Sequence, residues 1–264
     1  MRLNKKLVSL ISFIITIILS SGYVTFKHIN LNDLLPKSVP TVSKSTKTDS
    51  SGYPEWSYDL YPDYYAENGK AVIDESKFPE KGNINYTGKD KLGRTLAAYG
   101  TITLQMVYDA SSKGRPDFAK NDKPSGLNEN PKVKVETSTG TYDGWFWNRS
   151  HLIAHRLGGE TTSNNAITGT RMQNVGNRSN TGGMYYIEEL AVKYLTENRK
   201  EYLYYSAEPI YNGDELIPRY VIVNVKSSDG KFDKQIITFN NQKGYTINYN
   251  DGTFTKDEWW TLYL

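Results

Sequence analysis

Residues 148–160, with the sequence NRSHLIAHRLGGE, contain two of the three histidines of this 264-residue chain. They overlap the aromatic segment GWFWNR, residues 144–149, whose composition predicts a β-strand. A side chain at the end of a strand is held rigidly beside a loop, where functional groups often lie. The chain has no cysteine, and His28 lies in a segment with the composition of a tether. His151 and His155 are therefore the candidates for proton transfer.

The next stretch, TTSNNAITGTRMQNVGNRSNTGGM at residues 161–184, is rich in Asn, Thr, Gly and Arg. This composition is typical of surface loops that carry function, and it argues against a core strand. From residue 184 onwards, apolar residues recur at spacings of three and four, which predicts a helix over residues 184–204. Glu188 falls on the border of this apolar stripe, where it can face a partly enclosed site.

Several other segments have the two-residue period of strands. TITLQMV, residues 101–107, alternates apolar and polar side chains, and valines alternate over residues 221–225. QIITF and YTINY follow, at residues 235–239 and 245–249, with turn sequences around them, as in an antiparallel meander. The predicted fold class is α+β, with an antiparallel β-sheet packed on one main helix. YLYY, residues 202–205, is expected to pack at the end of that helix.

The amino terminus has the pattern of an export segment. Three basic residues precede residues 7–26, which carry no charge and are rich in Ile and Leu. This predicts a signal peptide or membrane anchor over residues 1–27, a flexible linker over 28–54 and one domain over 55–264. The net charge of +3 belongs to the amino-terminal segments, so the domain is left with −2. A bulk positive field that attracts nucleic acid is thereby excluded, and any anion binding must be local.

The polar residues around His151 suit hydrolysis of a phosphodiester. His151 can act as a base near neutral pH, and the oxygen ligands of Asn174 and Glu188 suit Mg²⁺. Three guanidinium groups can hold phosphate oxygens, and they belong to Arg149, Arg171 and Arg178. The alternative is a zinc peptidase in which His151 and His155 bind the metal from one helix. It is disfavoured because no Glu lies between them to act as the base.

NRSHLIAHRLGGE, NNAITGTRMQNV at residues 164–175 and GMYYIEE at 183–189 together resemble the DNA/RNA non-specific endonucleases of the ββα-metal (His-Me finger) group. LGRTLAAYG, KPSG and ELIPRYVIVNV are similar to the branch that contains streptococcal extracellular DNases (streptodornases) and the pneumococcal-type DNA-entry nuclease. The resemblance covers residues 80–240. It implies a ββα-metal core and a metal-dependent endonuclease.

The resemblance also implies roles for individual residues. His151 is the general base, and Arg149 helps to hold the scissile phosphate. Asn174 is the direct protein ligand of Mg²⁺, with Mn²⁺ as a substitute, and Glu188 completes the site mainly through coordinated water. Arg171 and Arg178 either bind substrate or pair with surface acids. His155 is expected to be structural.

The chain departs from the family pattern at two places. The wider family has Asp-Arg-Gly-His where this sequence has Asn148-Arg149-Ser150-His151, which removes a carboxylate beside the base. Asn174 is also separated from Glu188 by more residues than in the shortest family members. Glu189 is therefore an alternative for the acidic role.

The predicted function is that of an exported, Mg²⁺-dependent endonuclease with little sequence preference. DNA is the predicted substrate, with RNA as a further candidate, and the products are expected to carry 5′-phosphate ends. It is expected outside the cell, secreted or anchored through residues 7–26 to the outer face of the membrane of a Gram-positive-type bacterium. The alternative is a nucleic-acid receptor for binding or uptake that has kept the scaffold and lost catalysis. No protein partner is evident from the sequence.

Overall fold

The computed structural model describes residues 47–49, 52–177 and 180–258. The chain divides into two compact units, Met1–Gly52 and Tyr53–Leu264, and every element below belongs to the second. The predicted export segment at residues 7–26 lies outside the described residues, as does most of the predicted linker. Within the described part of the chain, no helix combines the length and apolar character needed to cross a membrane.

The domain contains twelve strands and three α-helices among the residues that the structure describes. The strands are β1 (Tyr65–Glu67), β2 (Ile84–Tyr86), β3 (Ala98–Thr103), β4 (Lys132–Thr137), β5 (Gly140–Trp145), β6 (Trp147–His151), β7 (Ala166–Thr170), β8 (Tyr202–Ile210), β9 (Tyr220–Ser227), β10 (Asp233–Phe239), β11 (Tyr245–Ile247) and β12 (Phe254–Lys256). The helices are α1 (Leu104–Lys113), α2 (Arg171–Val175) and α3 (Gly183–Glu197), with 3₁₀ turns at Glu75–Lys77, His155–Leu157 and Ser163–Asn165.

A six-stranded antiparallel sheet forms the centre of the domain, in the order β1-β10-β9-β8-β3-β2. Helix α3 covers one face of it, and the predicted apolar stripe is fully buried at Met184, Ile187, Ala191 and Leu195. Aromatic residues at 53, 56 and 61 pack on the opposite face. The predicted α+β class, an antiparallel sheet packed on a main helix, is confirmed.

The hairpin of β6 and β7 lies beside α2, which packs against α3, and this gives the ββα arrangement. His151 pairs with Ala166 at one end of this hairpin, and Trp147 pairs with Thr170 at the other. All five residues of β7 are buried, so the expectation that residues 161–184 contain no core strand is wrong. Its polar side chains are tolerated in the core because they are hydrogen-bonded: the Thr170 hydroxyl, for example, donates to the Asn241 carbonyl at 2.9 Å.

Two predicted elements end earlier than expected. The strand predicted at residues 101–107 stops at Thr103, whose side-chain oxygen caps α1 by accepting a hydrogen bond from the Met106 amide. The main helix ends at Glu197 rather than 204, because Asn198 turns the chain towards β8. YLYY therefore lies in the sheet and not at a helix end, with Leu203 and Tyr205 facing α3.

Two other predictions hold only in part. GWFWNR is interrupted at Phe146, whose amide donates to the Pro131 carbonyl, so that β5 and β6 are separate strands. The hairpin of β9 and β10 is confirmed, but β11 pairs with β12 rather than extending a meander from β10.

Candidate active site

His151 is the last residue of β6 and is 7% exposed. The ring of Phe118 lies 5.0 Å from the imidazole, centroid to centroid. Nε2 is buried and has no hydrogen-bond partner among the described residues. Burial lowers the pKa of His151 to about 3, and the nearby Arg115 and His155 act in the same direction. The imidazole is therefore neutral at physiological pH, which is the form in which a histidine acts as a base, although burial also makes its protonation costly.

Arg149, the predicted phosphate ligand, lies beside this imidazole. Its guanidinium stacks over the Phe118 ring at 5.1 Å. It also donates to the carbonyl oxygens of Ala119 and Lys120, at 3.3 and 3.4 Å. The loop at residues 114–121 thus connects Arg149 to the aromatic ring that covers His151.

Glu188 lies on α3 and is 7% exposed. Burial raises the pKa of Glu188 to about 7, while the positive charges of Arg156 and Arg115 act to lower it. Arg115 therefore acts electrostatically on both His151 and Glu188. Sequence reasoning missed Arg115, because it lies 36 residues before His151 with no periodic relation to it.

Two further polar side chains face Glu188. Arg156 has Nε and Nη2 buried without partners among the described residues, and the Tyr205 hydroxyl is in the same state. Burial raises the pKa of Tyr205, and the charge of Glu188 raises it further. Sequence reasoning missed both: Arg156 stands inside the motif that contains His151, whereas Tyr205 gives no signal because it comes from the central sheet.

Glu189, the alternative acidic residue, occupies a different environment. Its carboxylate accepts a hydrogen bond from Arg156 Nη1 at 2.7 Å, and about half of its side chain is exposed. It is thus a surface ion pair. The burial of Glu188 supports Glu188 for the acidic role.

Asn174 lies in α2, and its Oδ1 accepts a hydrogen bond from the Ser150 hydroxyl at 3.3 Å. It therefore contacts the residue next to His151. A second amide, which sequence reasoning did not single out, is Asn180 with a left-handed φ of 57°. Gly183 holds the start of α3 against α2, since a Cβ at this position would collide with the Gln173 carbonyl oxygen. Two amides thus lie close in sequence to the junction of α2 and α3.

The structure does not bring Arg171 to His151. Arg171 follows Thr170, at the opposite end of the β6–β7 hairpin, where it stacks on Tyr142. Arg178 lies outside the described residues. His155 begins a 3₁₀ turn whereas His151 ends a strand, so the two do not form the helical pair of a zinc peptidase.

The donor atoms near His151 suit a hard cation. A carboxylate and amide oxygens are ligands that Mg²⁺ accepts while it keeps several waters. The described residues contain no cluster of three or more His, Cys, Asp or Glu side chains that could hold a metal. The amide and carboxylate oxygens near His151 therefore fit an ion to which the protein contributes few ligand atoms.

Comparisons with known proteins identify the family. The family model of DNA/RNA non-specific endonucleases matches residues 75–229. A relative described as a deoxyribonuclease, from Streptococcus dysgalactiae subsp. equisimilis, is 34% identical over 243 residues, which cover 74% of this chain and 73% of the relative.

Two solved structures are similar to this one. Sda1 nuclease, determined with a bound zinc ion, has a TM-score of 0.73 at 34% identity, and the match covers 76% of this chain and 100% of that one. NucA from Streptococcus agalactiae, with a magnesium ion bound, shares the fold with a TM-score of 0.59 at 23% identity, over 74% of this chain and 89% of that one. The match to the family model covers more than half of the chain, so this protein belongs to the DNA/RNA non-specific endonuclease family of metal-dependent hydrolytic nucleases, whose substrate is nucleic acid.

Proposed function

We propose that this protein is an exported, Mg²⁺-dependent endonuclease that hydrolyses DNA, and also RNA, with little sequence preference. The observation that carries the proposal is the buried, unpartnered Nε2 of His151. The guanidinium of Arg115 lowers the pKa of this histidine and also that of the buried Glu188. Neutral imidazole and buried carboxylate together are the groups that water activation and cation binding require.

Asn174 and Glu188 would hold the ion, Asn174 through its amide oxygen and Glu188 mainly through coordinated water. A carbonyl oxygen has two lone pairs, so the hydrogen bond from Ser150 leaves Asn174 Oδ1 able to bind a cation. The bound ion stabilises negative charge on the phosphoryl oxygens and on the leaving oxygen. Mn²⁺ has similar ligand preferences and is expected to substitute.

His151 accepts a proton from the attacking water, while Arg149 and Arg115 bind the phosphate oxygens. The new bond forms between the water oxygen and phosphorus, and the bond from phosphorus to the 3′ oxygen breaks. The products are a 5′-phosphate and a 3′-hydroxyl. Guanidinium contacts to phosphate carry no sequence information, which accounts for the low specificity.

Activity in a gel that contains DNA tests this proposal, with the full-length protein refolded in the gel. A cleared band is expected with Mg²⁺, its loss in EDTA and its return when Mg²⁺ or Mn²⁺ is added back. Cleavage that persists in EDTA would overturn the metal mechanism. The absence of a cleared band under every metal condition, from protein that is soluble and folded, would favour the receptor that has lost catalysis.

Export and product chemistry have their own tests. Nuclease assays on the medium, the membrane fraction and the cell interior of the producing cells are expected to find activity in the first two only. Cleaved DNA is expected to accept label from polynucleotide kinase only after phosphatase treatment, because its 5′ ends already carry phosphate.

A further inference from the structure

A cavity of about 300 Å³ lies between the β4–β5 hairpin and α2, away from His151. Its lining includes Thr137, Thr139, Thr141 and Tyr142 from the hairpin, together with Arg171 and Asn177. The hairpin side is rich in hydroxyl groups, whereas Arg171 supplies a positive charge. The cavity is thus polar, open to solvent and lined by one cation.

The hydrogen-bonding capacity of the Arg171 guanidinium is only partly used by the described residues. Its guanidinium lies over the Tyr142 ring at 5.4 Å and has a side-chain hydrogen bond with Tyr142, but Nη1 is buried without a hydrogen-bond partner in the described part of the chain. No carboxylate of the described residues forms a salt bridge with it, so the pairing with surface acids that the sequence left open is not observed. A buried donor without a partner costs free energy that a ligand can recover.

The hydrogen bonds of the other lining residues limit which ligands the cavity can bind. The Thr137 hydroxyl donates to the Gly140 carbonyl and the Thr141 hydroxyl to Glu136, so both are already engaged. Asn177 is engaged as well, because it accepts from the Ser138 amide and donates to Tyr58. Arg171 is therefore the main group that remains for a ligand. A planar guanidinium suits one phosphate group, whose oxygens it can bind in bidentate fashion.

The position in the fold indicates which phosphate this is. Arg171 follows the residue paired with Trp147, and His151 is four residues further along β6. At about 3.3 Å per residue, the two ends of the hairpin are ~13 Å apart. Successive phosphates on one strand advance by ~3.4 Å along a duplex, so a phosphate at Arg171 is a few nucleotides from the one at His151.

We propose that the cavity at Arg171 binds a backbone phosphate of the nucleic-acid substrate, a few nucleotides from the bond that is cut. This inference rests on the proposed endonuclease function. It assigns Arg171 to binding and not to chemistry. It also suits a domain with a net charge of −2, which needs local cationic contacts to hold DNA.

The test compares Arg171→Gln with the wild-type protein on a long duplex and on the shortest duplex that the wild-type protein cuts. The variant is expected to raise KM for the long duplex about tenfold at unchanged kcat, and to lower the slope of log KM against log salt by about 1. On the shortest duplex, which does not reach the cavity, its KM is expected to stay within about twofold of wild type.

Two further variants complete the experiment. Lys134→Gln removes a charge from the exposed side of β4, outside the cavity, and is expected to leave KM within about twofold. Thr139→Glu changes only the exposed hairpin and places a negative charge at the cavity, so it is expected to raise KM for the long duplex. It keeps the test valid if Arg171→Gln fails to fold.

Wild-type KM and salt slope in folded Arg171→Gln would overturn the inference, as would equal losses on both duplexes. Neither result would affect the proposed function, which fails only if the wild-type protein shows no metal-dependent cleavage. The two outcomes are therefore distinguishable.

Discussion

The two ends of the β6–β7 hairpin differ in whether their buried polar atoms are hydrogen-bonded. At one end, Trp147 is buried, packs edge-on against Phe146 and donates from Nε1 to the Gly252 carbonyl at 3.0 Å. Its backbone amide and carbonyl are both bonded to Asn130. At the other end, His151 is also buried, but Nε2 has no partner among the described residues.

This difference separates stability from function within one pair of strands. A buried polar atom that is hydrogen-bonded supports the fold, whereas one that is left unpaired costs free energy and remains reactive. We therefore expect changes at the Trp147 end to affect unfolding and changes at the His151 end to affect catalysis.

The largest effect is expected from His151→Ala. Loss of the general base should reduce the rate of plasmid degradation by about 10²–10⁴-fold, while the thermal midpoint stays close to wild type, since no hydrogen bond of Nε2 is lost. His155→Ala is the control, and it should keep activity within about tenfold. Equal losses in the two variants would contradict the assignment of the base.

Trp147→Ala is expected to show the reverse pattern. Removal of this buried indole should lower the free energy of unfolding by about 3–5 kcal/mol, measured by urea titration. Activity per folded molecule, at a temperature where the variant is folded, should stay near wild type. Trp147→Phe is the milder control, because it keeps a ring and loses only the Nε1 hydrogen bond. A fully folded but inactive Trp147→Ala protein would contradict the separation of stability from catalysis between the two ends of the hairpin.

Asn174→Ala should raise the Mg²⁺ concentration needed for half-maximal activity by at least about tenfold, with a smaller effect on stability. Asn180→Ala is the matched comparison, because this second amide lies near the same helix junction. If only Asn180→Ala shifts the metal dependence, the ligand is Asn180 and the assignment of Asn174 is wrong.

The smallest effect is expected from Tyr205→Phe. Removal of a buried hydroxyl without a partner should raise the free energy of unfolding by about 1 kcal/mol, seen as a higher thermal midpoint. Tyr64→Phe is the control, because its hydroxyl accepts a hydrogen bond from the Lys243 amide at 3.0 Å, and its loss should destabilise the fold. Equal shifts in the two variants would show that unpaired and paired hydroxyls do not differ here.

The sequence was informative where the signal is local. The spacing of Met184, Ile187 and Ala191 predicts α3 because three- and four-residue periods follow from helix geometry alone. The motif around His151 likewise carries the family and the fold class. The same local rules failed for β7, whose polar residues resemble a loop until partners distant in sequence satisfy them.

By itself, the sequence determined the α+β class, the main helix, the candidate base and the family. The tertiary structure alone decided which residues distant in sequence act on that base and on Glu188. Arg115, Arg156 and Tyr205 come from a loop, a 3₁₀ turn and the central sheet, and only long-range packing brings their charges and hydroxyls towards His151 and Glu188. The structure also separated Arg171 from His151, since antiparallel pairing places the end of β7, which Arg171 follows, beside the start of β6, whereas His151 ends β6.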